Sequence, residues 1–161
     1  MWVHRLGLGG WERLVGLQWM LITTIGRRTG RAHRVMVDVL GYDAATDTYH
    51  VEAAYGRRAD WYRNIQAHPI FHVQVGRHRF AARATPLSPD QGEELMVRFF
   101  RRRPTYTKAV LRMVGVRVRT EEDLKQLGRS LLLLAVSPVD RLHRETQPPT
   151  RGALARPRPG L

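Results

Sequence analysis

The 161-residue sequence contains no cysteine, which excludes disulfide bonds, thiolate nucleophiles and cysteine-ligated zinc sites. It also lacks a long apolar run, since the stretch 131–136 is too short to cross a membrane. The amino-terminal residues, interrupted by Glu12 and Arg13, match neither a signal peptide nor a membrane span. We therefore expect a cytoplasmic protein held by packing alone, with its first residues as a candidate for peripheral membrane contact.

Acidic residues are scarce: 14 Asp and Glu stand against 27 Lys and Arg, and the net charge is +13. This charge predicts an anionic partner, which can be nucleic acid, acidic lipid or a polyanionic cofactor. Residues 140–161 carry five arginines against Asp140 and Glu145, a net +3, so the remaining +10 lies before them. We expect one domain over 1–139, with a helix or arm at 1–18, and a disordered, basic, proline-rich tail over 140–161.

Alternating apolar residues and turn signals predict about six strands. Three hairpins are expected, joining 19–25 to 35–40, 34–42 to 48–54, and 70–75 to 78–84; 131–136 is expected as a closing strand. Helices are expected from Asp60 to before Pro69, over 89–101 behind the capping box of Ser88 and Gln91, from Pro104 to about Val114, and from Thr120 to Gly128.

This order of elements favours a mainly β, α+β fold: a small antiparallel barrel with peripheral helices. A Rossmann sheet would instead alternate strands and helices. The pattern Gly-x-Gly-x-x-Gly is also missing, which argues against dinucleotide binding of the Rossmann kind.

The segment Gly26-Arg-Arg-Thr-Gly-Arg-Ala-His-Arg34 connects the first two predicted strands and holds four arginines in nine residues. Arginine presents a planar fork of donors to phosphate or carboxylate, and glycine lets backbone N–H groups approach the same anion. The segment is therefore either a pocket for a phosphorylated ligand or an ordinary basic hairpin loop.

Three motifs in order resemble the deazaflavin (coenzyme F-420)-dependent nitroreductase and quinone reductase family. They are Thr24-Ile-Gly-Arg-Arg-Thr-Gly-Arg-Ala-His-Arg34, Asp60-Trp-Tyr-Arg-Asn-Ile-Gln-Ala-His-Pro69 and Val73-Gln-Val-Gly76. The resemblance covers about residues 19–136 and implies a split β-barrel of the type that binds flavin mononucleotide (FMN).

The resemblance also implies a site for coenzyme F-420, a deazaflavin with a phosphate and a polyglutamate tail. FMN is the alternative cofactor. Arg28 and Arg34 are the preferred anion ligands. The full set of expected cofactor-binding residues is Arg27, Arg28, Thr29, Gly30, Arg34, Ala53, Ala54, Tyr55, Gly56, Trp61, Tyr62 and Asn64. Trp61 can equally be core packing, and Asn64 a hydrogen bond at a helix end.

The implied reaction is hydride transfer from reduced F-420 to a small conjugated acceptor, a quinone or a nitro compound. Tyr106, and more weakly Tyr55, are candidates to donate a proton or hydrogen bond, although a tyrosine at a pocket edge is more often a wall. Trp2 and Trp11 are expected near the substrate opening. The loop 55–60 departs from the family pattern, so its contacts are expected to differ.

Other functions are considered beside this one. A non-catalytic barrel that binds a flavin, a deazaflavin or an anionic lipid remains an alternative. A nucleic-acid-binding barrel is disfavoured because aromatic residues are not interleaved with the arginines. No metal site is expected, since Pro69 breaks the helical spacing between His68 and His72. The sequence is compatible with a monomer or a homodimer.

Overall fold

The computed structural model describes residues 18–113 and 115–139, and within them six strands close into an antiparallel barrel. Around the barrel the strands follow the order β1, β2, β3, β6, β5, β4. Their bounds are β1 Trp19–Ile25, β2 Ala32–Asp43, β3 Thr48–Glu52, β4 Phe71–Val75, β5 His78–Pro86 and β6 Leu133–Pro138. The barrel and the three hairpins expected from the sequence are confirmed.

The barrel interior is filled by apolar side chains that alternate with outward-facing residues along the strands. Successive side chains of a strand point to opposite faces, so every second residue enters the core. On β1 these are Met20 and Ile22, which are fully buried, and on β6 they are Leu134 and Val136. Most charged and polar residues of the strands lie on the outer surface, but Thr24 at the end of β1 is buried.

Four α-helices surround the barrel in the described part of the chain: α1 Asp60–Ala67, α2 Pro89–Arg102, α3 Pro104–Met113 and α4 Glu121–Ser130. The helices expected from capping residues are confirmed, and Ser88 and Thr120 each form the two hydrogen bonds of a capping box. A short 3₁₀ turn, Gly56–Arg58, was not expected. It precedes α1 and carries the chain away from β3.

Helices α2 and α4 approach each other through two glycines. A Cβ atom at Gly128 would lie 2.5 Å from the Gly92 carbonyl oxygen and 2.7 Å from its carbonyl carbon. Backbone atoms cannot retreat as a flexible side chain does, so only glycine fits here. This contact fixes the pair of helices as one unit beside β2 and β6.

Strand β2 changes neighbours along its length, and this opens the barrel wall. Its first half pairs with β1, from Trp19–Asp38 to Ile25–Ala32, while β3 pairs only with the second half, beginning at Val39–Val51. No described segment pairs with the other edge of the first half. We call this open edge of β2, residues 32–38, and the adjoining segment 53–56 the split.

Several expectations fall on residues outside the described ones. They are the amino-terminal arm with Trp2 and Trp11, its membrane contact, and the tail over 140–161. Within the described residues, no helix is both long and apolar enough to span a membrane.

Candidate functional site

The arginine segment forms a tight turn at the open end of the split. The Gly26 carbonyl accepts hydrogen bonds from Thr29 N at 3.2 Å and from Gly30 N at 2.8 Å. Gly30 has a φ of +64°, a conformation that favours glycine. The expectation that the connection runs to Arg34 is wrong: β1 and β2 pair as far as Ile25 and Ala32, so Arg34 belongs to a strand.

Arg27 joins this turn to helix α1. Its Nη2 lies 3.0 Å from Asp60 Oδ1, and its Nη1 donates to Asn64 Oδ1 at 3.0 Å. Asn64 is only 4 % exposed; its Oδ1 also accepts from Arg27 N, and its Nδ2 donates to Thr24 Oγ1 at 3.2 Å. Arg27 and Asn64, two of the expected cofactor ligands, therefore hold the turn in place.

Arg28, Arg31 and Arg34 are the arginines of this region whose side chains have no partner among the described residues. All three are exposed, and none forms an ion pair or side-chain hydrogen bond with a described residue. Thr29 Oγ1 accepts from Arg31 N at 3.3 Å and lies 3.3 Å from His33 Nε2, which orders the turn between them. The turn thus presents free guanidinium groups on a rigid backbone.

The outer face of the first half of β2 leads from these arginines into the split. Val35 and Val37 point towards the core, so Arg34, Met36 and Asp38 share the outer face. Met36 is 47 % exposed, which is unusual for a large apolar side chain in a sheet. The four-residue spacing puts Arg34 and Asp38 about 13 Å apart along the strand.

The segment after β3 contains both residues buried in the core and residues exposed to a ligand. Ala53 and Tyr62 are buried in the core cluster, and Trp61 packs partly against it. Ala54 and Tyr55 are exposed, Tyr55 at 81 %, and Gly56 turns the chain with a φ of +55°. Of this expected group, Ala54, Tyr55 and Gly56 are the residues whose surfaces are open to a ligand.

The inner end of the split is polar. Tyr106 of α3 donates from its hydroxyl to Asp38 Oδ2 at 3.0 Å, and its ring meets Phe99 edge-on. Burial, followed by the hydrogen bond to Asp38, raises the pKa of Tyr106 to about 12. The hydroxyl is therefore neutral at ordinary pH, and its proton is already engaged by Asp38.

Glu52 stands beside Asp38 at this inner end. The pair Val39–Val51 is the last rung between β2 and β3, so Asp38 and Glu52 are the first residues past the point where the strands separate. Burial, and then the charge of Asp38, raise the pKa of Glu52 above its ordinary value of 4.5. Two carboxyl groups in one place favour a ligand that donates hydrogen bonds.

Two buried side-chain atoms lack a hydrogen-bond partner among the described residues: Asp38 Oδ1 and Arg103 Nη1. An unpaired buried polar group costs about 1–3 kcal/mol, so a hydrogen-bonding partner at either atom would be stabilising. Asp38, Glu52 and Arg103 were not singled out from the sequence. A sequence signal existed for Asp38, an acidic residue within the otherwise apolar run Val35-Met-Val-Asp-Val-Leu40.

Two cavities on the barrel surface differ in charge. One, of about 370 Å³, lies on the outer face of β1, β4 and β5 and is bordered by Arg34, His72 and Arg79, with no carboxylate in its lining. The other, of about 410 Å³, lies between the β2–β3 hairpin and α2, where Asp43 and Glu94 accompany Arg98. The first suits an anion better, and Arg34 of β2 borders it. Within residues 18–113 and 115–139, no group of three or more His, Asp or Glu side chains is placed to hold a metal ion.

Comparison with known proteins gives one family. Residues 4–121 match the family described as F420H(2)-dependent quinone reductase. Among solved structures, one titled as an F420-H2 dependent reductase has a TM-score of 0.48 and 20% identity, covering 74% of this chain and 93% of its own. A second, titled as a domain-swapped dimer, has a TM-score of 0.49 and 20% identity, with 74% and 79% coverage. No curated protein matches the sequence.

Proposed function

The chain belongs to the F420H(2)-dependent quinone reductase family, and we propose that it transfers a hydride from reduced coenzyme F-420 to a quinone or nitro compound. Membership identifies it as an oxidoreductase of the deazaflavin-dependent type.

The observation that carries the proposal is the pair of free arginines at the open end of the split. Arg28 and Arg34 have no carboxylate partner among the described residues, although Arg101 and Arg129 on the helical surface do. Arg34 also borders the carboxylate-free cavity. A phosphate placed there would accept charge-assisted hydrogen bonds, each contributing about 1.5–3 kcal/mol.

The flat part of the ligand would lie along the outer face of β2, between Met36 and the segment that contains Ala54 and Gly56. These residues are small or apolar, so they offer van der Waals contact without competing for hydrogen bonds. When bound, the reduced deazaflavin supplies the hydride itself. The task left to the protein is to align donor and acceptor and to exclude water.

The two tyrosines that the sequence suggested as proton donors have different surroundings. The Tyr106 hydroxyl already donates a hydrogen bond to Asp38, which makes it a positioning residue that closes the inner end of the split. Tyr55 is exposed and free to contact an acceptor that enters from solvent. We propose Tyr55 as a wall of the acceptor site.

A spectral titration of the purified protein tests this function. Oxidised and reduced F-420 are titrated in parallel with FMN, and menadione is then added to the reduced complex. The proposal requires binding of the deazaflavin and its oxidation on addition of the quinone.

Three outcomes would favour other functions. Binding of F-420 without turnover of menadione or a nitroaromatic compound would support a non-catalytic binding protein. Preference for FMN would change the cofactor. Retention of single-stranded DNA, weakened by salt and without cofactor binding, would indicate a nucleic-acid-binding barrel.

A further inference from the structure

The inner end of the split contains an unpaired acceptor and an unpaired donor close to the same side chain. Asp38 Oδ1 and Arg103 Nη1 are both buried without a hydrogen-bond partner among the described residues. Tyr106 connects their surroundings: its hydroxyl donates to Asp38 Oδ2, and the charge of Arg103 lowers its pKa against the larger effects of burial and Asp38.

Asp38 and Arg103 do not pair with each other. No ion pair within 4.0 Å joins them, whereas such pairs form on the helical surface of the described chain. A group that satisfies both must donate one hydrogen bond to the carboxylate and accept one from the guanidinium. An N–H beside a carbonyl, as in the edge of a cyclic imide, has this arrangement.

We propose that Asp38 and Arg103 bind the imide edge of the cofactor's heterocycle, with Asp38 accepting from the ring N–H and Arg103 donating to the adjacent carbonyl. This rests on the proposed function, because it requires the cofactor ring to lie in the split. It gives the ring a fixed direction: imide edge inwards, anionic part outwards at Arg28 and Arg34.

The charges of the split agree with this direction. Asp38 and Glu52 at the inner end would repel a phosphate, and Arg28 and Arg34 at the outer end attract one. A quinone offers carbonyl groups alone and leaves Asp38 Oδ1 unpaired, so the acceptor fits this end less well.

The cofactor ring would enter along the unpaired edge of β2, residues 32–38. Met36 is largely exposed, and helix α3 buries only Thr107 among its residues, so few contacts hold the helix over the inner end. Because Asp38 Oδ1 is buried, a ring that enters along β2 must displace Tyr106 outwards to reach it.

Methylation of the imide nitrogen provides the test. A deazaflavin and its N-methylated analogue are titrated by fluorescence into the wild-type protein and into Asp38→Ala, Arg103→Lys and Asp90→Ala. Asp90 is an exposed residue at the start of α2, so its replacement removes a carboxylate far from the split.

Methylation should weaken binding to the wild-type protein and to Asp90→Ala about tenfold or more, since a hydrogen bond to a charged group is lost. In Asp38→Ala the two analogues should bind within about threefold of each other. Arg103→Lys should weaken both analogues alike and keep the methylation effect. Circular dichroism on each variant establishes that it is folded.

Equal binding of both analogues by the wild-type protein would overturn the inference while leaving the proposed function intact; a bridging water then satisfies the two atoms. The same conclusion follows if Asp38→Ala still discriminates tenfold. Failure of the wild-type protein to bind the unmethylated deazaflavin would overturn the inference together with the proposed function. If Asp38→Ala does not fold, the isosteric Asp38→Asn takes its place, and an undiminished methylation effect in it contradicts the role of the charged acceptor.

Discussion

Two groups of arginines in this protein differ in their partners. On the helical surface, Arg101 lies 2.9 Å from Glu121 and Arg129 lies 2.7 Å from Glu93. In the arginine segment, Arg28 of the turn and Arg34 of β2 form no ion pair with a carboxylate of the described residues. The difference lies in the placement of the few acidic residues, which accompany the helices and leave the turn cationic.

The comparison separates structural arginines from arginines available to a ligand. Exposed ion pairs contribute about 0–1 kcal/mol each, so the paired arginines matter little even for stability. Arg27 is a third case, since it lies at the turn but is held by Asp60 and Asn64. Charge alone therefore does not identify a binding residue; Arg28 and Arg34 combine a side chain without an internal partner with a position at the open end of the split.

The largest expected effect concerns the helical region. Replacing Gly128 with alanine drives a Cβ atom into the Gly92 backbone and should lower the free energy of unfolding by about 3 kcal/mol. Urea denaturation measures the change. Gln126→Ala, at an exposed position of the same helix, is the control and should change stability little; a tolerated Gly128→Ala would show that the two helices are not in backbone contact.

The next effect tests whether the turn is held by buried hydrogen bonds. Asn64→Ala removes the partner of Thr24 and Arg27 and should cost about 2 kcal/mol of stability. Denaturant melts of this variant are compared with those of Gln66→Ala, an exposed neighbour on α1. Similar stability of both variants would contradict the tethering role of Asn64.

Affinity for F-420 should distinguish the arginines without an internal partner from those in ion pairs. Arg34→Ala and Arg28→Ala should each weaken F-420 binding about tenfold, or about 1.4 kcal/mol, because a charge-assisted contact to the anion is lost. Arg101→Ala removes a guanidinium of equal charge that is already paired with Glu121, and its affinity should equal that of the wild type. Equal losses in all three variants would mean that the protein's overall field, and not the free arginines, holds the ligand.

The smallest effect is a difference in pH dependence between two glutamates. The pKa of Glu52 is raised, so its contribution to stability is present below pH 4.5 and is lost as the pH rises through the raised value. Glu52→Gln should therefore be more stable than the wild type at pH 8, with the gap closing towards pH 4. Glu121, whose pKa is lowered by its hydrogen bond to Arg101, predicts the reverse for Glu121→Gln. Thermal melts at the two pH values measure both; the same sign for both variants would refute the assignment at Glu52.

Much of the fold could be predicted because its signals are local. The alternation of apolar and polar residues predicted the strands, and Ser88, Pro104 and Thr120 predicted the starts of three helices. Both signals depend only on neighbours a few residues away. The end of the arginine connection was placed three residues too late. Ala32, His33 and Arg34 look like a loop, but pairing with β1 makes them a strand.

The sequence by itself determined the strand and helix content, the excess of positive charge and the motifs that resemble the family. Only the tertiary structure decided which arginines are free, because Arg27 and Arg28 are adjacent in sequence and differ only in reach to Asp60 and Asn64, more than thirty residues later. It also decided that Asp38, Glu52, Arg103 and Tyr106 meet. Those residues come from two strands, the junction between α2 and α3, and the first turn of α3, and chain packing alone brings such distant positions together.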